Sequence, residues 1–226
     1  MNRLLAIETS SESCSVCLSI DGNRFSKTEH VERRHNELLL PMLSDVFERA
    51  GLHGDASRAR LDAVAFGRGP GSFTGVRIAA AAAQAIALAC EAYIVRVPTS
   101  QVMALRAIRE QTLDQNVPGL VTFIRSRRDY YYLATYRVEN QLPVAIESDR
   151  LHDRLPDERW LRKVEGFQGI GSAPDWWQAS DVVPVVADAE QTIEIAELMI
   201  DRGEFVDPAD GLPDYLEGDS PWRKVR

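Results

Sequence analysis

Apolar periodicity in this chain sets out three strands, then helix, strand, helix, strand, helix, and a weaker version of the same order recurs further on. Few folds accept that order once, and fewer accept it twice. Leu4 to Glu8 reads as the first strand. Ser13 to Ile20 alternates, with Val16, Leu18 and Ile20 on one face, and Asp21-Gly22 is a tight hairpin signal before Arg24 to Glu29 returns. Asn36 can cap a helix carrying Leu39, Leu43, Val46, Phe47 and Ala50 on one side and stopped by Gly51, with Pro41 bending its first turns. A strand over 61–65, a helix over 74–92, a strand from Tyr93 to Val97 and a helix begun by Thr99 or Ser100 complete the first set. The second set has strands near 120–125, 131–138 and 142–147, a short helix around Asp157 to Val164, and a strand from Gln168 to Ile170. A helical patch near Asp175 to Ala179, a strand from Val182 to Val186 and a helix from Ala189 to Arg202 close it. Two copies of one α/β unit are implied.

Between the strand at 61–65 and the following helix lies Gly67-Arg-Gly-Pro-Gly-Ser-Phe-Thr-Gly-Val-Arg77. Its four glycines allow positive φ and close backbone approach, so the loop can offer N–H groups to an anion or lie against another backbone. A P-loop would need Lys-Ser or Lys-Thr after the last glycine, and Val76-Arg77 stand there instead. The dinucleotide fingerprint fails too, because Thr74 follows Gly71 at the third position. The plain alternative is a tight strand-to-helix turn capped by Ser72 or Thr74. The helix behind it carries Ala79 to Ala83, Ala85, Ala87, Ala89 and Ala92. So many small side chains on several faces invite close packing on two sides, by the chain's own sheet and by a partner.

The chain of 226 residues has a net charge of −8, and residues 1–100 are balanced, with 11 bases and 11 acids. The excess is C-terminal: from Asp175 to Asp219 there are 13 acids and one base, Arg202. Such a surface repels a phosphate backbone, so unaided nucleic-acid binding is not expected. A local exception is Arg125, Arg127 and Arg128 beside Tyr130, Tyr131 and Tyr132, a cluster that can touch RNA or form a solvated hairpin. No apolar run approaches the roughly 20 residues of a membrane span, and a cytoplasmic location is expected. Cys14, Cys17 and Cys90 cannot all pair. Cys14 and Cys17 sit three apart in a strand, on opposite faces, so reduced buried thiols are expected.

Ile7-Glu8-Thr9-Ser10 at the first turn, Arg34-His35-Asn36-Glu37-Leu38-Leu39-Leu40-Pro41 opening the first helix, and Gly69-Pro70-Gly71-Ser72-Phe73-Thr74-Gly75-Val76-Arg77 together resemble the TsaB (YeaZ) family. The likeness is specific over residues 4–105 and resumes in Tyr215-Leu216 and Trp222-Arg223-Lys224. It implies two ribonuclease-H-like lobes of the actin, Hsp70 and sugar-kinase superfamily: the first over 1–105, the second and smaller over 106–203, with 204–226 packing back on the first. It implies a non-catalytic subunit of the machinery that makes threonylcarbamoyladenosine beside the tRNA anticodon. Partners implied are a TsaD-like catalytic subunit and a TsaE-like ATPase, with tRNA met only through the complex. ATP or ADP is expected, if anywhere, at a joint between subunits, and without the partner the same patch could join two copies of this chain in a two-fold dimer. In the superfamily the turn after the first strand holds phosphate, which marks Glu8, Thr9, Ser10 and Ser11 as vestigial contacts. The docking surface is assigned to the helices 36–50 and 74–92, with Leu38, Leu39, Met42, Leu43, Phe47, Ala79, Ala80 and Ala83 at the interface. Where relatives place Asp-Ala-Arg, this chain has Arg125-Ser126-Arg127, and Glu217 stands where they end in Arg.

Two enzyme readings compete. An actin-like ATPase or sugar kinase is favoured by the fold and by Glu8-Thr9-Ser10, but lacks a second phosphate motif. A glycoprotease-type metallopeptidase would need two histidines four apart on one helical face, whereas His30 and His35 are five apart across a strand-to-helix join, leaving only His53 and His152. No Gly-x-Ser-x-Gly elbow occurs, and Ser72 and Thr74 have no base indicated by the sequence.

Overall fold

The computed structural model describes residues 3–31, 34–52, 60–113, 117–127, 129–177 and 182–216. The chain divides into two units, 1–102 with 187–213, and 103–186 with 214–226.

In the first unit β1 (Arg3–Glu8), β2 (Ser13–Ile20) and β3 (Asn23–His30) form an antiparallel meander, and β4 (Ala63–Gly67) and β5 (Tyr93–Val97) extend it in parallel on the other side of β1. The strand order is β3-β2-β1-β4-β5. Every residue of β1 after Arg3 and every residue of β4 is buried, as a sheet covered on both faces requires. One face carries Leu5, Ile7, Val16, Val64 and Phe66 under α1 (His35–Arg49) and α2 (Phe73–Cys90). The opposite face receives α5 (Ala189–Asp201), whose first N–H, from Ala189, donates to Ser15 Oγ at 3.0 Å. Arg24 on β3 pairs with Glu194 and Glu197 of the same helix.

That placement corrects the sequence reading, which left α5 in the second lobe. Its apolar stripe shows that it packs on a sheet but not on which one, and chain proximity favoured the wrong choice. Residues 204–213 also lie on the first unit: Val206 bridges Ile94, and Arg96 Nε donates to the Leu212 carbonyl at 2.7 Å.

The second unit repeats the pattern. β6 (Gly119–Arg127), β7 (Tyr130–Glu139) and β8 (Leu142–His152) are antiparallel, and β9 (Gln168–Gly171) and β10 (Val182–Val183) run parallel to β6 on its other side. The order β8-β7-β6-β9-β10 is the first sheet's order, third-second-first-fourth-fifth. Its core gathers Val121, Phe123, Tyr131, Leu133 and Val164 with Trp160, Phe167, Trp176 and Trp177; Trp160 comes from α4 (Glu158–Lys163). Between β5 and β6 runs α3 (Thr99–Arg109). Of the helical patch near 175–179, Asp175 and Trp176 form a turn, and residues 178–179 lie outside the described residues.

One helix start differs from expectation, and at another the structure selects between the two caps the sequence offered. Arg34, not Asn36, occupies the N-cap of α1 and makes no side-chain cap bond. The helix starts early with His35 buried, its Nε2 3.0 Å from the Ser11 carbonyl. At α2 the cap is Ser72, whose Oγ accepts the Gly75 N–H at 3.2 Å; Thr74 lies inside the first turn. By length and composition alone α2 is apolar enough to cross a membrane, which the sequence reading did not expect. Its Val76, Ala79, Ala80, Ala83 and Ala87 are buried against the first sheet.

Candidate functional site

The Gly-rich loop and the first turn are one object. Ser72 N–H donates to the Ser10 carbonyl at 2.6 Å, and Thr9 Oγ1 donates to the Gly75 carbonyl at 2.8 Å. A Cβ added at Gly75 would fall on the Thr9 carbonyl oxygen, one at Gly71 on the Ser10 carbonyl, and one at Gly67 on the Glu8 carboxylate. The glycines are there because two backbones touch. Gly69, at φ 101°, turns its carbonyl to the Thr99 N–H at 3.0 Å and precedes a cis bond to Pro70. Of the two uses open to such a loop, contact with an anion or with another backbone, these distances describe the second.

Glu8 is fully buried at the end of β1, with Oε1 accepting the Ser10 N–H at 2.8 Å. Burial pushes its pKa up to about 7, hydrogen bonding to Ser10, seen here in its N–H, opposes the shift, and the Asp188 charge adds to it. Glu8 Oε2 and Ser10 Oγ have no hydrogen-bond partner among the described residues. Glu8, Thr9 and Ser10 are all buried, and only Ser11 reaches solvent in part. This turn is a poor fit for a nucleotide phosphate: the Thr9 hydroxyl is engaged by the loop and the Ser10 N–H by Glu8, the Ser10 hydroxyl is buried, Gly67 walls off the carboxylate, and only Ser11 is part-exposed.

Phe73 and Thr74 are exposed, and Arg77 folds back over the Phe73 ring, 3.3 Å from its centroid, while donating to the Phe73 carbonyl at 2.8 Å. Cys14 and Cys17 are free and buried, their thiols pushed up to about 11 and about 12 by burial. Among the described residues no group of three His, Cys, Asp or Glu side chains could hold a metal ion; His53 lies outside them.

The interface residues read from sequence need correction. Leu39, Met42, Leu43, Phe47, Ala79, Ala80 and Ala83 are buried in the first unit's own core, and Leu38 packs partly against it. A helix packed on a sheet turns its widest apolar stripe inward, so the most apolar positions are those a partner does not reach. The apolar residues that α1 and α2 leave exposed are Leu40, at 70%, Leu88, at 73%, and Phe73, with Pro41, Ala81, Ala85 and Ala89. The spacing was available in the sequence: 81, 85, 88 and 89 recur at i, i+4, i+7 and i+8, opposite 79, 80, 83 and 87.

In the second unit, Arg125 and Arg127 are exposed at the end of β6 and Tyr130 is half-buried; Arg128 lies outside the described residues, as do Glu217 and Trp222-Arg223-Lys224.

Two α/β units of identical strand order, each with an antiparallel meander continued by parallel strands, place the chain in the actin-like superfamily of paired ribonuclease-H-like lobes. The sequence profile of TsaD, tRNA N6-adenosine threonylcarbamoyltransferase, matches residues 27–153. The tRNA threonylcarbamoyladenosine biosynthesis protein TsaB of Escherichia coli strain K12 is 32% identical over 99% of this chain and 98% of its own length. The TsaB protein of Haemophilus influenzae is 39% identical over 46% of this chain and 42% of its own. Among solved structures, YeaZ from Pseudomonas aeruginosa superposes with a TM-score of 0.78 at 30% identity, covering 94% of this chain and 100% of that one. A second structure, described as an uncharacterized Pseudomonas aeruginosa protein with similarity to peptidase YEAZ, gives 0.81 at 31%, covering 96% and 100%. The chain belongs to the TsaB (YeaZ) family.

Proposed function

We propose that this protein serves tRNA threonylcarbamoyladenosine biosynthesis in the cytoplasm as a non-catalytic subunit, held by a TsaD-like catalytic partner through the outer faces of α1 and α2. The observation that carries this reading is the pair of exposed leucines, Leu40 and Leu88, on an outer surface whose other α2 positions are Ala81, Ala85 and Ala89. Small residues let a second helix approach to about 8 Å, and two leucines supply apolar area at about 25 cal/mol per Å² buried. The TsaD profile's match to 27–153 takes in both helices, so the partner has a counterpart surface and the two chains can pair about a pseudo-twofold. In the same reading a TsaE-like ATPase is the second partner, nucleotide belongs at a joint between subunits, and the isolated chain can use the same surface to dimerise. The filled first turn speaks against the ATPase or sugar-kinase alternative.

The test is co-purification with the TsaD-like subunit. Leu88→Glu combined with Ala85→Arg is expected to weaken the pairing about 30-fold, the effect of losing one buried anchor worth about 2 kcal/mol, with an unchanged thermal midpoint. Unchanged co-purification of a folded variant refutes the docking surface. Ala83→Arg is unsuitable, because Ala83 is fully buried and the substitution would act on folding.

A further inference from the structure

The second sheet's antiparallel strands end in a cluster of cations and rings that the first sheet does not repeat. Register sets Arg125 opposite Tyr131 and Tyr131 opposite His152, so the three form one row on one face. Arg150 is opposite Leu133, on the same face two residues along β8. The register shift between Arg125 and Arg127 inserts Ser126, so that Arg127 is opposite Tyr130, its guanidinium 5.2 Å from the ring centroid; this pair, one residue before Tyr131 on β7, takes the other face, so the cluster spans both faces of the strand ends. Arg154 follows β8, paired with Asp153 and in electrostatic range of Tyr130.

Arg125, Arg127 and Arg150 are exposed, and none has a carboxylate at ion-pair distance among the described residues. Of the acids nearby, Glu147 is engaged by Lys163 and the Trp160 indole and Asp153 by Arg154, while Asp149 lies on β8 and Asp129 is exposed in the turn between β6 and β7. In a chain of charge −8, residues 125–163 hold nine bases and seven acids. An acidic protein therefore keeps one locally basic end, with unpaired guanidinium groups and half-exposed rings at Tyr130 and His152. Guanidinium groups suit phosphate oxygens, and ring faces suit unstacked bases. A carboxylate-rich protein surface would use the first and have no need of the second.

We propose that this end of the second sheet, at the close of β6, β7 and β8, is an RNA-contacting surface, with Arg125, Arg127 and Arg150 on phosphates and Tyr130 and His152 against bases. The choice of RNA over other polyanions rests on the proposed function; the surface itself does not.

The full-length chain, alone, is titrated against a short fluorescein-labelled stem-loop RNA at salt rising from on the order of 20 mM, with anisotropy as the readout. Wild type is expected to bind with a log–log salt slope of about −2 to −3, the value for three phosphate contacts. The triple variant Arg125→Glu, Arg127→Glu, Arg150→Glu is expected to bind at least about tenfold more weakly with a slope near zero. Arg137→Glu, a base paired with Glu139 elsewhere on β7, should leave binding unchanged. Single Arg→Gln changes, each reducing the slope by about 0.8, decide the matter if the triple variant does not fold. No binding by wild type, or equal binding by the folded variants, overturns the proposal. So does poly-glutamate competing as well as RNA, which would assign the surface to an acidic protein. Co-purification with the TsaD-like subunit is scored separately, so loss of docking and loss of RNA contact are distinguishable.

Discussion

The turn after the first strand occurs twice in this protein, at the same topological position in two sheets of the same order, and the two copies have nothing chemical in common. In the first unit it is Glu8-Thr9-Ser10-Ser11-Glu12, three of its residues buried and two of its carbonyls packed under the glycines of another loop. In the second it follows Arg125 and Arg127, exposed and without carboxylate partners among the described residues. Topology sets where a turn lies; what else the chain brings to that place decides whether it becomes packing or surface. The first unit brings the 67–75 loop across, and the turn is closed. Three comparisons probe that difference, and the largest effect belongs to the closed turn.

Gly75→Val puts side-chain atoms onto the Thr9 carbonyl, where neither backbone can yield without breaking the Thr9–Gly75 and Ser10–Ser72 hydrogen bonds. A loss above about 3 kcal/mol is expected in urea unfolding, against about 0.5 kcal/mol or less for Asp129→Ala in the exposed turn of the second unit. Comparable losses at the two sites would mean that the first turn is as open as the second.

Glu8 supplies the next effect, through pH. Its folded pKa, about 7, lies above the usual carboxylate range, so between that range and pH 7 the unfolded chain has released a proton the folded chain retains. Stability falls as pH rises through this window and is level above it, by about 3 kcal/mol at most. Glu8→Gln keeps an acceptor for the Ser10 N–H and removes the titration. It should gain on wild type between pH 5 and pH 8 in denaturant midpoints; parallel curves for the two proteins would show that Glu8 is not held in a desolvated site.

The duplicated order was legible because it depends on period alone: alternation in Ser13 to Ile20, the Asp21-Gly22 turn, and helical stripes at 39, 43, 46 and 47 are local signals. Two things were not. The assignment of α5 to the first sheet depends on a hydrogen bond between Ala189 and Ser15, 174 residues apart, which no window of sequence contains. The outward face of α1 and α2 was hidden for a different reason. Apolar character marked Leu39, Met42 and Phe47, and the same character drew them into the core, leaving Leu40 and Leu88 as the informative residues because they interrupt the pattern. At the Gly loop two physical options stood open, and choosing between them required the Thr9 and Ser10 carbonyls to be seen beneath it.

The smallest effect compares two arginines stacked on rings. Arg77 lies 3.3 Å from the Phe73 centroid and also donates to the Phe73 carbonyl, whereas Arg127 lies 5.2 Å from the Tyr130 centroid and its side chain has no ion pair among the described residues. Arg77→Ala should cost about 1 kcal/mol and Arg127→Ala about 0.5 kcal/mol or less, since an exposed cation over a ring is weakly held. Differential scanning calorimetry on both variants reads this directly. An arginine that adds so little to the fold is free to serve a ligand, so the combination that supports a division between closed and open turns is specific: Arg127→Ala with a near-native melting temperature and weakened RNA binding, Arg77→Ala with the reverse. If Arg127→Ala proves as destabilising as Arg77→Ala, the second turn is structural like the first, and its charge has a local explanation.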